Sequence, residues 1–302
     1  MKVRFTAILI VVLACIRVAA AQSSSPADEL TGALKKIRDS SVVTIGFRQD
    51  AMPFSYLNPR GKPIGYSIEL GRSIVEEISN ELGGQALTIK FVPVTAETRI
   101  DAVLTGTIDL ECGVTTSNVE RRKRVAFSPV TFVAGTKLMV QRGSAIKSFK
   151  DLKSRTVAVT AGTTNEKAMH ELSDTFDLGI KFVACPSHDD SYAQVASGKV
   201  DAFATDDSLL YALIAKNKSQ SKLTIVGDFL TYDPYGIMFR KDDAMLAAVV
   251  DRTFHQLAES RDLEYTYKRW FTHKLPGGED LNLPMSPQLA EIFRSLGAPD
   301  ED

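Results

Sequence analysis

The sequence predicts an α/β protein with doubly wound sheets, and three observations carry that prediction. Strand-length apolar runs alternate with helix-length amphipathic runs along nearly the whole chain, without hairpin signals between them. That pattern favours parallel strands joined by crossover helices. Several predicted strands stop at residues able to cap a following helix, as at Thr115-Thr116-Ser117-Asn118 and Asp206-Asp207. Third, the two halves echo each other. Thr105-Gly106-Thr107-Ile108-Asp109-Leu110 leads into Thr115-Thr116, and Ser197-Gly198-Lys199-Val200-Asp201-Ala202 leads into Asp206-Asp207. In open α/β sheets ligands lie beyond the carboxyl ends of the strands, so two such sheets facing each other would place both polar tips on one cleft.

In chain order, helical spacing covers residues 29–37, and a strand over 42–47 ends at Arg48. Residues 49–63, with Pro53, Pro59 and Gly61, read as a loop carrying Phe54 and Tyr56. A long amphipathic helix is expected over 64–82, stopped by Gly83-Gly84, then a strand over 87–92, a helix over 97–104 and a strand over 108–114. The pattern restarts after Arg142-Gly143-Ser144. A short helix (148–153) leads to strand 156–160, helix 163–172, strand 180–184 and helix 191–196. Strand 201–204, helix 208–216 and strand 223–226 follow. Segments 126–131, 135–141 and 235–239 read as extended, 243–270 as helical to its end, and the tail is acidic and proline-bearing.

With 302 residues, 44% hydrophobic and 24% charged, the chain can bury two cores. Its first residues belong to export rather than to the fold. Lys2 and Arg4 precede an apolar run over 5–16, and Ala19-Ala20-Ala21 before Gln22 offers a small-residue cleavage site, so residues 1–21 read as a signal peptide. Val12-Leu13-Ala14-Cys15 resembles a bacterial lipobox, but Leu13 fits that pattern poorly and Arg17 follows closely. Cleavage after Ala21 is therefore expected, rather than a lipid anchor on Cys15. The leader carries three basic residues and no acid, which leaves the mature chain near −4, without the basic face that nucleic acid requires. No other stretch reaches transmembrane length. Cys112 and Cys185 both fall in apolar strand-like runs, and two buried free thiols are expected. No metal-ligand spacing, nucleophile elbow or phosphate-cradling loop is present, so no cofactor or metal is expected.

The stretch 109–129 is the most informative. A buried strand ends in Thr-Thr-Ser-Asn, and Arg121-Arg122-Lys123-Arg124 follows within two turns. A strand end at a helix N-terminus leaves backbone N–H groups pointing outward, an anion seat to which a nearby arginine can add a bidentate grip. The same residues also read as a capped surface helix with solvated charges.

What separates these readings is a resemblance spread over the chain. Gly46-Phe47-Arg48 with Pro53-Phe54-Ser55-Tyr56, Gly65-Tyr66-Ser67, Asn118-Val119-Glu120-Arg121 and Phe127-Ser128 form its first half. Gly162-Thr163-Thr164, His188 with Asp190-Ser191, Asp206-Asp207, Tyr235-Gly236 and Arg240-Lys241-Asp242-Asp243 complete it. In that order and spacing the chain resembles the periplasmic glutamate/aspartate-binding proteins, the solute receptors of polar amino acid ABC importers. The resemblance implies two α/β lobes of the type II periplasmic binding protein kind, joined by two crossover strands near 135–141 and 235–239. The first lobe would comprise 27–137 and 240–302, and the second, 138–239, would be inserted in it. It also implies a monomer in the periplasm, an acidic amino acid ligand and an ABC permease as membrane partner.

Roles follow from the same resemblance. Arg121, Thr116 and Thr164 would take the α-carboxylate, with N–H donors from the helix after Thr164. Asp206 would take the ammonium, helped by backbone carbonyl near Val114. Arg48, Arg99 and His188 would surround the ligand side chain, and positive groups beyond Arg121 without an obvious acid to balance them imply a second negative charge on the ligand. Bland readings stand beside these: Thr116, Thr164, Asp206 and His188 as helix caps, Arg48 as solvated, and Arg99 as a surface residue paired with Asp101 or Asp109. The chain departs from the family at Ala96, where close relatives offer a hydroxyl to the side-chain carboxylate, and at Val114, where they have serine.

A catalytic alternative uses the same fold. Some relatives are periplasmic dehydratases acting on small carboxylates, and His188 beside Asp189 and Asp190 reads as an acid/base group with orienting carboxylates. The binding reading is the one expected, and the sensor lobe of a receptor is not, since no transmembrane helix follows in the sequence.

Overall fold

The computed structural model describes residues 30–299, so the expected signal peptide and Cys15 lie outside the described residues. The chain begins with α1 (Gly32–Ser40) and β1 (Val42–Phe47), followed by a small meander of β2 (Asp50–Ala51), β3 (Ser55–Leu57) and β4 (Pro63–Ile64). Then come α2 (Tyr66–Glu81), β5 (Thr88–Pro93), α3 (Arg99–Leu104), β6 (Leu110–Glu111), α4 (Val119–Arg122) and β7 (Val125–Phe127). After β8 (Phe132–Ala134) come β9 (Thr136–Gln141), β10 (Thr156–Thr160), α5 (Thr164–Thr175), β11 (Lys181–Cys185) and α6 (His188–Ala196). The series continues with β12 (Ala202–Asp206), α7 (Asp207–Lys216), β13 (Leu223–Val226), β14 (Asp233–Tyr235) and β15 (Met238–Arg240). Three helices close the chain: α8 (Ala244–Glu259), α9 (Asp262–Phe271) and α10 (Pro287–Ser295).

Two five-stranded sheets form two doubly wound lobes. One runs β5-β1-β6-β15-β7 and the other β11-β10-β12-β9-β13. In both, the first three strands are parallel and the fourth, β15 or β9, runs antiparallel to its neighbours. The alternation of strands and helices predicted the parallel part alone. The antiparallel strand has a simple cause. β9 is reached from the first lobe and β15 from the second, so each enters its sheet at the end where the parallel strands finish, and must run against them.

The passage between lobes is a two-stranded antiparallel ribbon, β8 with β14, pairing Ala134 with Asp233 and Phe132 with Tyr235. It lies earlier than the crossovers expected at 135–141 and 235–239, most of whose residues belong to β9 and β15. Aromatic rings pack around its base. The Phe54 ring centroid is 4.8 Å from Phe132, 5.3 Å from Tyr235 and 5.2 Å from Phe271. The Tyr66 hydroxyl donates to the Thr131 carbonyl at 2.8 Å. Such contacts bury large apolar surfaces and hold the ribbon at a fixed angle to the first lobe.

In the second sheet the period-2 alternation of β9 assigns its faces. Leu138 and Val140 pack with Met169 of α5 on one side, and Met139 packs with Val195 of α6 and Leu210 of α7 on the other. Helix 243–270 is broken: Arg261 adopts a left-handed conformation (φ 63°), and α9 turns so that Tyr267, Trp270 and Phe271 are buried. The loop 49–63 carries the β2-β3-β4 meander instead, and the tail holds α10. Cys112 and Cys185 are both buried and free.

Candidate functional site

The ends of the parallel strands supply one cleft. Arg48 follows β1, Thr115 and Thr116 lie beyond β6, Thr164 opens the helix after β10, His188 opens the helix after β11, and Asp206 ends β12. Arg48, Arg99, Thr116, His188 and Asp206 are all buried.

Thr116 and Thr164 meet across the lobes with hydroxyl oxygens 3.2 Å apart, and each donates to Asp233 Oδ1 at 3.1 Å. Neither is a helix cap: Asn118 caps α4 and Thr163 caps α5. Asp233, on the ribbon, also accepts from the Thr231 hydroxyl through Oδ2. Arg121 folds back from α4, its Nη1 donating to the Thr116 carbonyl at 3.0 Å. Burial pulls its guanidinium below the usual range, while Glu111, Asp233 and Asp206 oppose that pull.

Arg99 is the residue most committed to the interior. It is 2% exposed, its Nη1 donates to the Val114 carbonyl at 3.3 Å, and its Nε makes no hydrogen bond within the protein. Burial, with repulsion from Arg121 and Arg48, lowers its pKa to about 9 against the attraction of Glu111. The surface alternative is excluded, since Asp101 pairs with Arg124 and Asp109 with Lys36. The Val114 carbonyl, expected to serve an ammonium, is bonded to Arg99.

The expectation of positive groups without a balancing acid needs correction at Arg48, Arg99 and His188. Arg48 has an acid beside it: its Nε and Nη2 donate to Asp50 at 3.1 and 3.0 Å. Near Arg99, the buried Glu111 accepts from Thr115 at 2.7 Å through one oxygen and makes no hydrogen bond through the other. Gly113 leaves room for Glu111 and for the Arg48 stem, because a Cβ there would meet Glu111 Oε1 at 2.2 Å and Arg48 Cγ at 3.0 Å. His188 is likewise not a positive group: burial drives its pKa to about 4, although Asp50 pulls the other way. Its Nδ1 lies 3.0 Å from the Thr160 hydroxyl, and Ser187 rather than His188 caps α6.

Asp206 makes no capping bond. It accepts from Asn165 at 2.9 Å and from the Tyr235 phenol. Burial and the nearby Asp233 raise its pKa to about 7, with both hydrogen bonds opposing the rise. Burial, reinforced by Asp206, holds the Tyr235 phenol well above its ordinary range, so it remains a donor. The cleft therefore gathers the guanidiniums of Arg99 and Arg121 with two carboxylates, Asp206 and Asp233, each hydrogen-bonded to neutral donors. That arrangement suits a small molecule carrying both charges.

Asp50, Glu111, Asn165 and Asp233 went unrecognised in the sequence. Asp50 stands two residues after Arg48 and Asn165 directly follows Thr164, so adjacency was the available signal. For Glu111 and Asp233 no local pattern existed.

Residues 43–273 match the bacterial extracellular solute-binding proteins, family 3, and the chain belongs to that family. The L-glutamate/L-aspartate-binding protein of Pseudomonas aeruginosa is 40% identical over 282 residues, covering 92% of this chain and 93% of that protein. The glutamate/aspartate import solute-binding protein of Escherichia coli is 35% identical over 295 residues, 97% of each chain. Among solved structures, an ancestral arginine-binding protein bound to arginine aligns with TM-score 0.70 at 28% identity, over 76% of this chain and 98% of that one. An ancestral amino acid-binding protein, a precursor of cyclohexadienyl dehydratase, aligns with TM-score 0.68 at 30% identity, over 79% and 99%.

Proposed function

We propose that this protein is an extracytoplasmic solute-binding protein that captures L-glutamate or L-aspartate between its lobes and delivers it to the permease of an ABC importer. The observation that supports this best is Arg99, a fully buried guanidinium repelled by Arg121 and left with a single carbonyl partner. A buried cation in that position is stabilised by a carboxylate, less so by the neutral oxygen of an amide, and destabilised by a second cation. The names of the relatives from P. aeruginosa and E. coli point to the same ligands. The arginine-bound neighbour shares the fold, so the ligand class follows from the cleft rather than from the architecture.

In this reading Arg121, Thr116 and Thr164 take the α-carboxylate, Asp206 takes the ammonium, and Arg99, with Arg48 and His188, lines the side-chain end. The lobes in this reading are 27–137 with 240–302, and 138–239, except that β9 and β15 are each assigned whole to the sheet they join. Residues 1–21 direct export to the periplasm, where the protein works as a monomer with its permease. A catalytic reading has less support. Asp189 pairs with Lys216 at 2.8 Å and Asp190 bonds Ser187 at 2.6 Å, so the acid/base set suggested around His188 is dispersed.

Calorimetry on the purified mature protein tests the proposal. Glutamate and aspartate should bind saturably, and glutamine about tenfold or more weakly, because an amide leaves Arg99 without an anionic partner. Equal affinity for glutamine would overturn the acidic-ligand reading. Product formed from candidate carboxylates would overturn the binding one.

A further inference from the structure

Asp50 sits on β2, two residues after Arg48. Its carboxylate is held from three directions. Arg48 donates through Nε at 3.1 Å and Nη2 at 3.0 Å, and the backbone N–H of His188, on the opposite lobe, donates at 2.8 Å. The arginine side chain is 2% exposed and the aspartate 10%. The β2–β3 pairing of Ala51 with Ser55 fixes this arrangement, because the Ser55 hydroxyl accepts from the Arg48 backbone N–H at 2.9 Å.

A bidentate guanidinium–carboxylate pair spends the arginine's charge and two of its five N–H donors on one partner. Only Nη1 of Arg48 makes no hydrogen bond within the protein. To a ligand, the pair is close to neutral, and a neutral pair discriminates weakly between a carboxylate and an amide of the same shape. Arg99 donates to no carboxylate within the protein, although Glu111 attracts it from nearby.

We infer that Asp50 is a specificity-determining residue: it holds Arg48 as an internal ion pair, leaving Arg99 to read the ligand's side-chain carboxylate. This rests on the function proposed above and goes beyond it, since it makes selectivity for acid over amide a quantity that Asp50 limits. Removing the aspartate's charge while keeping an acceptor releases the Arg48 charge into the cleft. Asp50→Asn does this, because its amide oxygen still accepts from the His188 N–H and so preserves the contact between lobes. Asp50→Ser, whose hydroxyl is also an acceptor, serves as the second variant should the amide disturb folding.

The test is a titration of L-glutamate and L-glutamine against wild type, Asp50→Asn, Asp50→Ser and the double variant Asp50→Asn with Arg48→Met, each checked for a cooperative melt. The glutamate-to-glutamine affinity ratio should rise about tenfold in the charge-removing variants, as an uncompensated buried cation favours the anionic ligand. It should return to the wild-type ratio in the double variant. If both ligands weaken together and the ratio stays put, Asp50 only fastens the lobes and the inference falls. It also falls if the raised ratio survives loss of Arg48. Wild-type protein that binds neither amino acid overturns the proposed function itself, and the inference with it.

Discussion

The hydroxyl oxygens of Thr116 and Thr164 lie 3.2 Å apart although each is positioned by a different sheet. The lobes meet at the rim of the cleft as well, where Lys167 pairs with Glu120 at 3.0 Å and Gly162 abuts Glu97. The rim ion pair is solvent-exposed, so shape decides this contact more than charge. The apposition is the one in which groups from both lobes share a ligand, and ligand contacts made by both lobes favour it over an open form.

Gly162 provides a direct test of closure. Its φ of 74° disfavours a side chain, and a Cβ there would lie 2.7 Å from Glu97 Cγ and 2.9 Å from the Glu97 backbone nitrogen. Gly162→Ala should weaken glutamate binding about tenfold or more, because the rims can no longer close, with a further loss of roughly 1 kcal/mol in stability from the strained φ. Small-angle scattering should show compaction of wild type on adding glutamate and less in the variant. An unchanged radius of gyration in wild type, with binding confirmed, would count against the hinge.

Arg121 and Arg99 should separate by ligand. Arg121→Ala should reduce binding of every amino acid by about a hundredfold or more, since all carry the α-carboxylate. Arg99→Met, which keeps much of the stem's packing, should weaken glutamate sharply and narrow its advantage over glutamine. Titration of both ligands against each variant decides it. A glutamate-to-glutamine ratio untouched in Arg99→Met would place the side-chain pocket elsewhere.

Ligand affinity should rise with pH through about 7, the pKa to which burial and then Asp233 raise Asp206. An ammonium ligand favours the charged carboxylate, so below that pH binding must expel a proton and weakens by up to about tenfold per pH unit. For the unliganded fold the sign is opposite: a raised carboxyl pKa favours the folded state at low pH, and that contribution is lost as pH rises towards 7. Calorimetry between pH 5.5 and 8 should show the slope in wild type and its loss in Asp206→Asn. Equal affinity across the range in wild type would remove Asp206 from the ammonium role.

His188 should contribute to acid lability. Burial holds its folded pKa at about 4, below the ordinary 6.5, so the stability tied to its neutral form is complete above 6.5 and is lost as pH falls towards 4. Thermal melts from pH 7 to 4 should fall less steeply for His188→Gln than for wild type. Parallel curves would mean that the imidazole takes up no proton penalty on folding.

The sequence by itself determined the doubly wound class, because strand and helix periods are local and need only neighbouring residues to be read. It also determined the polar ends after strands at Arg48, Thr116 and Asp206 and the helix start at Thr164, since a polar residue closing an apolar run faces away from the apolar core even where the cleft buries it. The tertiary structure decided which of those ends carry free charge. Arg48 looked uncompensated because hydropathy cannot tell whether a nearby aspartate points back to it, and only the β2–β3 turn settles that Asp50 does. Asp233 lies 117 residues from Thr116, so no spacing rule could join them. The antiparallel β9 and β15 had the same origin: strand direction depends on the side from which the chain enters a sheet, and that is set by the path between lobes, not by any residue within the strand.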